Sequence, residues 1–127
     1  MIFIDTSFLL ALLIKSDVNH KRALQLSKLF NENKMINTTV LTETLNAFIG
    51  IGGKIGISLY ETLKEMFDID YLTPSDYDEA VKIYLSYDSS INYSDCTILK
   101  SMQKNNIYRI ATFDSDFNKV NGLEVLF

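Results

Sequence analysis

The chain has 127 residues, of which 47% are hydrophobic and 22% charged, as expected for one soluble globular domain with its own core. Its longest apolar run, residues 8–14, is far shorter than the roughly 20 residues of a membrane-spanning helix, and no basic signal-peptide segment precedes it. The single cysteine, Cys96, cannot form an internal disulfide, which favours a cytoplasmic location. The net charge of −4 is opposite to that of a basic nucleic-acid-binding surface.

The chain opens with an apolar run that leads directly into an acid. Residues 2–5, which end at Asp5, predict a buried strand, and Thr6 and Ser7 offer caps for a following helix. The same pattern returns near the other end, where the apolar run 108–112 precedes Asp114. If both strands belong to one parallel sheet, Asp5 and Asp114 emerge at the edge where ligands bind in open α/β folds.

The remaining elements alternate between strands and helices. Short apolar runs predict strands at residues 35–38, 69–72, 108–112 and 124–127. Apolar residues at helical spacing predict helices over 8–14, 19–31 and 94–104 and others that carry the stripes 41–49, 59–67 and 77–85. Thr38 or Thr39 is the expected cap of the 41–49 helix, and Ser75 that of the 77–85 helix. This order predicts a three-layer α/β/α sandwich with a mainly parallel central sheet.

A glycine-rich stretch, residues 50–56, contains a lysine and invites comparison with phosphate-binding loops. The Walker spacing requires glycine at position 48, where Phe48 stands, and the dinucleotide pattern requires glycine where Ile55 stands. The stretch is therefore predicted to be a turn between two helices.

Two further acids stand on predicted helices. The neighbours of Glu43 at helical spacing are small or polar, so Glu43 faces either a cleft or solvent. Asp95 shares a stripe with Ile98, Leu99 and Met102 at a helix start. Its other interpretation is that Asp95 or Ser94 only caps that helix. Asp5, Asp114 and Asp116 could likewise be caps.

Four acids that meet at one cleft would repel one another, and a divalent cation would remove that penalty. Oxygen ligands suit Mg²⁺ or Mn²⁺. No histidine–cysteine set competes for zinc, because His20 and Cys96 are each alone in type, with His20 expected at the surface. A carboxylate-held cation activates water against a phosphodiester, so the sequence predicts metal-dependent hydrolysis of a nucleic-acid backbone.

The sequence resembles the PIN-domain family, specifically the VapC-type toxin ribonucleases, over nearly its whole length. Four motifs carry the resemblance: Ile4-Asp5-Thr6-Ser7, Thr38-Thr39-Val40-Leu41-Thr42-Glu43, Tyr93-Ser94-Asp95-Cys96 and Ala111-Thr112-Phe113-Asp114-Ser115-Asp116-Phe117. The resemblance implies a single PIN-like nuclease domain over residues 1–127. It also implies a catalytic and metal-binding quartet formed by Asp5, Glu43, Asp95 and Asp114.

The resemblance further implies endoribonuclease activity with Mg²⁺ or Mn²⁺, an RNA substrate, a cognate antitoxin that blocks the acidic cleft, and a homodimer. Some relatives act in RNA processing instead. From their positions, five residues are expected to support the quartet by hydrogen bonds, with Asp116 matching a more variable position. They are Thr6, Asn46, Ser94, Thr112 and Asp116.

Other classes of protein start with a similar strand. An aspartyl-phosphate phosphatase usually has a second acid two residues after the first, where this chain has Ser7. A response-regulator receiver has paired acids near its start, and these are absent. A PIN fold kept as a non-catalytic binding module is a third alternative, against which stand the four intact acids.

Overall fold

The computed structural model describes residues 1–127. Its centre is a five-stranded sheet in which every neighbouring pair of strands is parallel. The strands are β1 (Ile2–Ile4), β2 (Lys34–Asn37), β3 (Asp68–Asp70), β4 (Arg109–Ala111) and β5 (Glu124–Leu126). Their order in the sheet is β3-β2-β1-β4-β5, so β1 lies in the middle. The prediction of a parallel central sheet is confirmed.

Six α-helices cover the two faces of this sheet. They are α1 (Thr6–Leu13), α2 (His20–Ser27), α3 (Thr38–Ala47), α4 (Gly53–Met66), α5 (Pro74–Ser86) and α6 (Tyr93–Lys104). Along the chain, β2 and β3 are added on one side of β1, and β4 and β5 are then added on its other side. Because crossover connections are right-handed, this reversal places the two sets of helices on opposite faces of the sheet. Accordingly α1 packs on α2 and α3, while α5 packs on α6. The result is the predicted three-layer α/β/α sandwich.

The glycine-rich stretch is the predicted helix–helix turn, because α3 ends at Ala47 and α4 begins at Gly53. Gly50 and Gly52 have φ angles of +90° and +98°, a region that residues with a Cβ rarely adopt. Most other elements lie within three residues of their predicted bounds. The second helix is the clearest exception, because it ends at Ser27 rather than at residue 31.

The helix caps differ from those expected, because residues just before the predicted caps take that role. The Asn37 side chain accepts the Val40 amide and caps α3, in place of Thr38 or Thr39. Thr73, rather than Ser75, caps α5 in a reciprocal capping box with Asp76. Asn and Thr both accept such bonds well, so a sequence rich in these residues offers several equivalent starts.

The apolar stripe of α5 is mostly unburied, which periodicity alone does not reveal. Ala80 is fully buried, whereas Tyr77, Val81, Tyr84 and Leu85 remain between 37% and 76% exposed. His20 differs from its expected surface position, because it is half-buried and its Nδ1 lies 2.7 Å from the Ala11 carbonyl oxygen. Cys96 is buried, as expected. None of the helices has the length and apolar character needed to cross a membrane.

Candidate active site

Two of the predicted acids lie side by side at the carboxyl edge of the sheet. Asp5 follows β1 and Asp114 lies three residues beyond β4, and β1 pairs with β4 through Ile4 and Ala111. The Asp5 amide donates to the Ala111 carbonyl oxygen over 3.0 Å. The repeated pattern of an apolar run followed by an acid therefore brings both carboxylates to one edge, as parallel pairing requires.

Asp5 stands at the N-cap position of α1, but its side chain is buried among hydroxyl groups instead of capping the helix. Its side chain is 5% exposed and makes no capping bond to α1. The Oδ2 atom instead accepts hydrogen bonds from Thr112 Oγ1 at 2.7 Å and Ser7 Oγ at 2.9 Å. Burial raises the pKa of Asp5, and the charge of Asp114 adds to that rise, while the two hydroxyl groups oppose it.

Asp95 stands at the first turn of α6, where Asn92 is the cap. The Asn92 side chain accepts the Asp95 amide over 2.8 Å, so the interpretation that Asp95 or Ser94 only caps α6 is wrong. Asp95 is 6% exposed, and its Oδ2 atom is buried without any hydrogen-bond partner. Burial, followed by the charges of Asp5 and Asp114, raises the pKa of Asp95 to about 8.

Asp95, Asp114 and Asp116 form the tightest group of acids. One carboxylate oxygen from each lies within 4.8 Å of the others. Asp114 also caps the 3-10 helix Ser115–Lys119, because its Oδ1 accepts the Asp116 amide at 2.9 Å. Asp116 forms an ion pair with Lys119 at 2.9 Å. Asp116 was expected only to support the quartet. The structure places its carboxylate beside those of Asp95 and Asp114.

Glu43 reaches the same site from α3 and remains exposed. Its Oε1 atom accepts a hydrogen bond from Thr6 Oγ1 at 2.8 Å, which joins α3 to the first residue of α1. Its charge contributes to the raised pKa of Asp95, although it is not one of the three most tightly grouped acids. The structure therefore brings Glu43 to the rim of the site.

The expected supporting residues divide into two groups. Thr6 bonds to Glu43 and Thr112 bonds to Asp5, whereas the Asn46 side chain is exposed and neither it nor the Ser94 hydroxyl makes a hydrogen bond to an acid. Ser7 was missed, because sequence reasoning used it only as a helix cap. Its Oγ donates to Asp5 and accepts the Phe113 amide over 3.0 Å. The sequence signal that could have identified Ser7 is its position two residues after Asp5, the acid that follows a strand.

The residues present fit a divalent cation. The donors are carboxylate oxygens, which hard cations such as Mg²⁺ and Mn²⁺ prefer. The unpartnered Asp95 Oδ2 is the kind of buried polar atom that a native structure leaves for an ion or water. Asp5, Glu43, Asp95 and Asp114 form no ion pair with a lysine or arginine of the chain, so no basic side chain of the chain neutralises them.

Comparison with known proteins shows the family to which the chain is similar. A PIN-domain family model matches residues 2–123. Ribonuclease VapC6 of Methanocaldococcus jannaschii is 30% identical over an alignment that covers 98% of this chain and 95% of that protein.

Solved structures share the fold at lower identity. VapC20 of Mycobacterium tuberculosis, a toxin that cleaves the sarcin–ricin loop, superposes with a TM-score of 0.84 at 24% identity and 98% coverage of both chains. A toxin–antitoxin complex from Klebsiella pneumoniae gives a TM-score of 0.77 at 16% identity and covers all of this chain and 97% of that one. At these identities the similarity shows a shared fold and nothing more.

Proposed function

Since the chain belongs to the PIN-domain family and is related to its VapC members, we propose that it is a Mg²⁺- or Mn²⁺-dependent endoribonuclease. It hydrolyses RNA phosphodiester bonds with water as the nucleophile, as the toxin of a toxin–antitoxin pair in the cytoplasm. Residues 1–127 serve as one nuclease domain. The observation that carries the proposal is the buried Asp95 carboxylate, whose Oδ2 atom has no hydrogen-bond partner, among three further acids.

Each acid has a distinct part in this proposal. Asp5, Asp95 and Asp114 hold the cation, with Glu43 at the rim and Asp116 as an additional candidate ligand. Thr112 and Ser7 fix the Asp5 carboxylate through their hydroxyl groups, and hydrogen-bonded ligands of this kind are held in one orientation. The cation, when bound, lowers the pKa of the attacking water and neutralises charge that develops on the phosphate.

The direct test is cleavage of single-stranded RNA in the presence of Mn²⁺. We expect the parent protein to cut, and Asp5→Asn and Asp95→Asn each to lower the rate by about 10³-fold or more, the loss typical of removing essential catalytic machinery. Asp78→Asn removes one exposed acid from α5 and serves as the charge-matched control. Folded Asp5→Asn and Asp95→Asn variants that cut as fast as the parent would contradict the proposal and identify the activity as a contaminant.

The antitoxin is assigned to a groove between α3 and α4. This groove has a volume of about 610 Å³, and its lining is mostly apolar, with Leu45, Phe48, Ile57, Leu59 and Tyr60 among the residues. A groove between two helices suits the apolar face of an amphipathic partner segment. The complex from Klebsiella pneumoniae, which shares the fold, supports such a partner.

A homodimer is assigned to the exposed stripe of α5. Tyr77, Val81, Tyr84 and Leu85 present contiguous apolar surface on one face of that helix, and such a patch on a soluble protein commonly marks an interface. Light scattering on the purified chain tests this assignment. We expect a dimer mass for the parent and a monomer mass for Leu85→Glu, while a parent that is monomeric at micromolar concentration would contradict it.

A further inference from the structure

The strongest unassigned feature is a buried polar contact between α3 and α6. Its centre is Asn37, the last residue of β2, which is fully buried. Buried amides are costly unless their hydrogen bonds are made, and an apolar residue would fill the same space without that cost. The role of the Asn37 amide therefore lies in its hydrogen bonds rather than in packing alone.

Asn37 uses the two ends of its amide for two different helices. Its Oδ1 accepts the Val40 amide at 3.1 Å and caps α3. Its Nδ2 donates to the Thr97 carbonyl oxygen at 3.3 Å and to Ser101 Oγ at 3.0 Å, both on α6. One side chain thus fixes the start of α3 against the middle of α6.

A second contact joins the same pair of helices. Thr39 Oγ1 on α3 lies 2.8 Å from Thr97 Oγ1 on α6, and the Thr97 hydroxyl donates to the Ser94 carbonyl oxygen at 2.6 Å. Together with Asn37 and Ser101, these residues form a polar seam. The seam holds α3 and α6 at two points in one register.

The position of the seam gives it a functional consequence. Glu43 lies on α3 one turn beyond Thr39, and Asp95 lies on α6 two residues before Thr97, so each acid is within about one helical turn of the contact. Glu43 is tied to the same site by the hydrogen bond from Thr6 Oγ1 to its Oε1 at 2.8 Å, and Asp95 is buried there with its Oδ2 unpartnered. The register of α3 against α6 therefore fixes where these two carboxylates stand relative to each other.

We propose that Asn37 is a positioning residue, and that the polar seam it anchors holds Asp95 on α6 in the position at which it binds a divalent cation, with Glu43 on α3 at the rim of the same site. This inference rests on the proposed metal-dependent function. Asn37 makes no hydrogen bond to the acids, and it acts through the placement of the two helices. Residues that orient metal ligands typically change metal affinity by 10- to 100-fold when they are replaced.

The test is a titration with Mn²⁺ alone, with free Mn²⁺ followed by electron paramagnetic resonance. Asn37→Ser keeps a good helix cap but is too short to reach α6, and we expect it to raise the Kd for Mn²⁺ about tenfold. Thr73→Ala is the control, because it removes a cap from α5 and costs stability away from the acids. We expect its Mn²⁺ affinity to stay within twofold of the parent.

Kinetics add a second measurement that a loss of stability would not produce. At subsaturating Mn²⁺ the kcat of Asn37→Ser should fall while the KM for RNA stays unchanged, and saturating Mn²⁺ should restore kcat. If Asn37→Ser fails to fold, Thr39→Ala breaks the other contact of the polar seam and leaves the Asn37 cap in place. We then expect a several-fold rise in its Kd for Mn²⁺.

Folded variants with the Mn²⁺ affinity of the parent would overturn the role of Asn37 and leave the nuclease proposal standing. A parent that binds Mn²⁺ but does not cut RNA would overturn the nuclease proposal, and the same titration would still decide whether Asn37 positions the acids. A parent that binds no Mn²⁺ would overturn both.

Discussion

Two clusters of acids in this molecule contain carboxyl groups whose pKa values are shifted in opposite directions. In the first, Lys104 lies 2.8 Å from Asp70 Oδ1 and 2.6 Å from Asp76 Oδ2. Both carboxylates are nearly buried, and the hydrogen bond from Lys104 is the main influence that lowers the pKa of Asp76, against the opposing effect of burial. In the second, Asp5 and Asp95 are equally buried without any cation of the chain beside them.

The two clusters differ in whether the chain supplies a basic side chain to pair with its buried acids. In the cluster around Lys104 the chain supplies its own cation, which contacts both carboxylates and fastens α6 to the start of α5, although Asp70 Oδ2 has no hydrogen-bond partner. At the candidate active site burial and neighbouring acids raise the pKa of Asp95 to about 8, and the only nearby ion pair is the one between Asp116 and Lys119 at the rim. The first cluster is paired within the chain, and the second has the unpaired carboxylates that the proposed cation would neutralise.

The largest effect on stability should come from breaking the structural cluster. Lys104→Met leaves two buried carboxylates without their cation, and we expect the free energy of unfolding to fall by about 3 kcal/mol at neutral pH. Denaturant titration measures this loss. Lys82→Met is the matched control, because the exposed pair of Lys82 with Glu79 should contribute less than about 1 kcal/mol. Equal losses in the two variants would remove the distinction between the clusters.

At the candidate active site of the metal-free protein, we expect removal of a charge to raise the free energy of unfolding rather than lower it. The raised pKa of Asp95 means that the folded state keeps a proton that the unfolded state releases above about pH 4. The folded state therefore loses stability as the pH rises from about 4 to about 8.

Asp95→Asn removes that loss. We expect the variant to be more stable than the parent by about 1–2 kcal/mol at pH 8, the usual cost of a buried unpartnered polar group, and equally stable at pH 4. Denaturant titration in the presence of a chelator measures the difference. A variant that is less stable than the parent at pH 8 would show that the Asp95 carboxylate is already satisfied within the protein.

A smaller effect should follow from removing one supporting hydroxyl. Thr112 Oγ1 donates to Asp5 and accepts the Asp114 amide at 2.9 Å, so Thr112→Val loosens two acids together. We expect RNA cleavage at fixed Mn²⁺ to slow about tenfold. The same substitution at Thr44, whose buried hydroxyl has no partner, should leave cleavage unchanged. Equal rates for Thr112→Val and the parent would contradict the supporting role.

Sequence reasoning reached the fold and the positions of Asp5, Asp95 and Asp114 because these depend on local patterns, whereas Glu43 joined them only through the resemblance to the PIN-domain family. An apolar run that ends in an acid indicates a buried strand and its exit, and parallel pairing then brings Asp5 and Asp114 together. Asp95 shares its stripe with core residues, which indicated that its helix start faces inward. These signals need only the periods of strand and helix.

The contacts that orient the acids were out of reach because they join distant parts of the chain. Asn37 bonds to residues 60 and 64 positions away, and Ser7 lies beside Thr112 at a separation of 105. Periodicity also shows which face of a helix is apolar, but not whether another element covers that face. The apolar stripe of α5 was therefore predicted, and its exposure to solvent was not. Cap choice among adjacent Asn and Thr residues depends on the final backbone path.

The most direct test of the central claim is a Mn²⁺ titration of the parent, Asp95→Asn and Asp76→Asn at pH 8. The contrast between the clusters requires the parent and a folded Asp76→Asn to bind Mn²⁺ with similar affinity and Asp95→Asn to lose most of that binding. Equal binding by the parent and Asp95→Asn, or no binding by the parent, would contradict the assignment of the unpaired acids as a cation site.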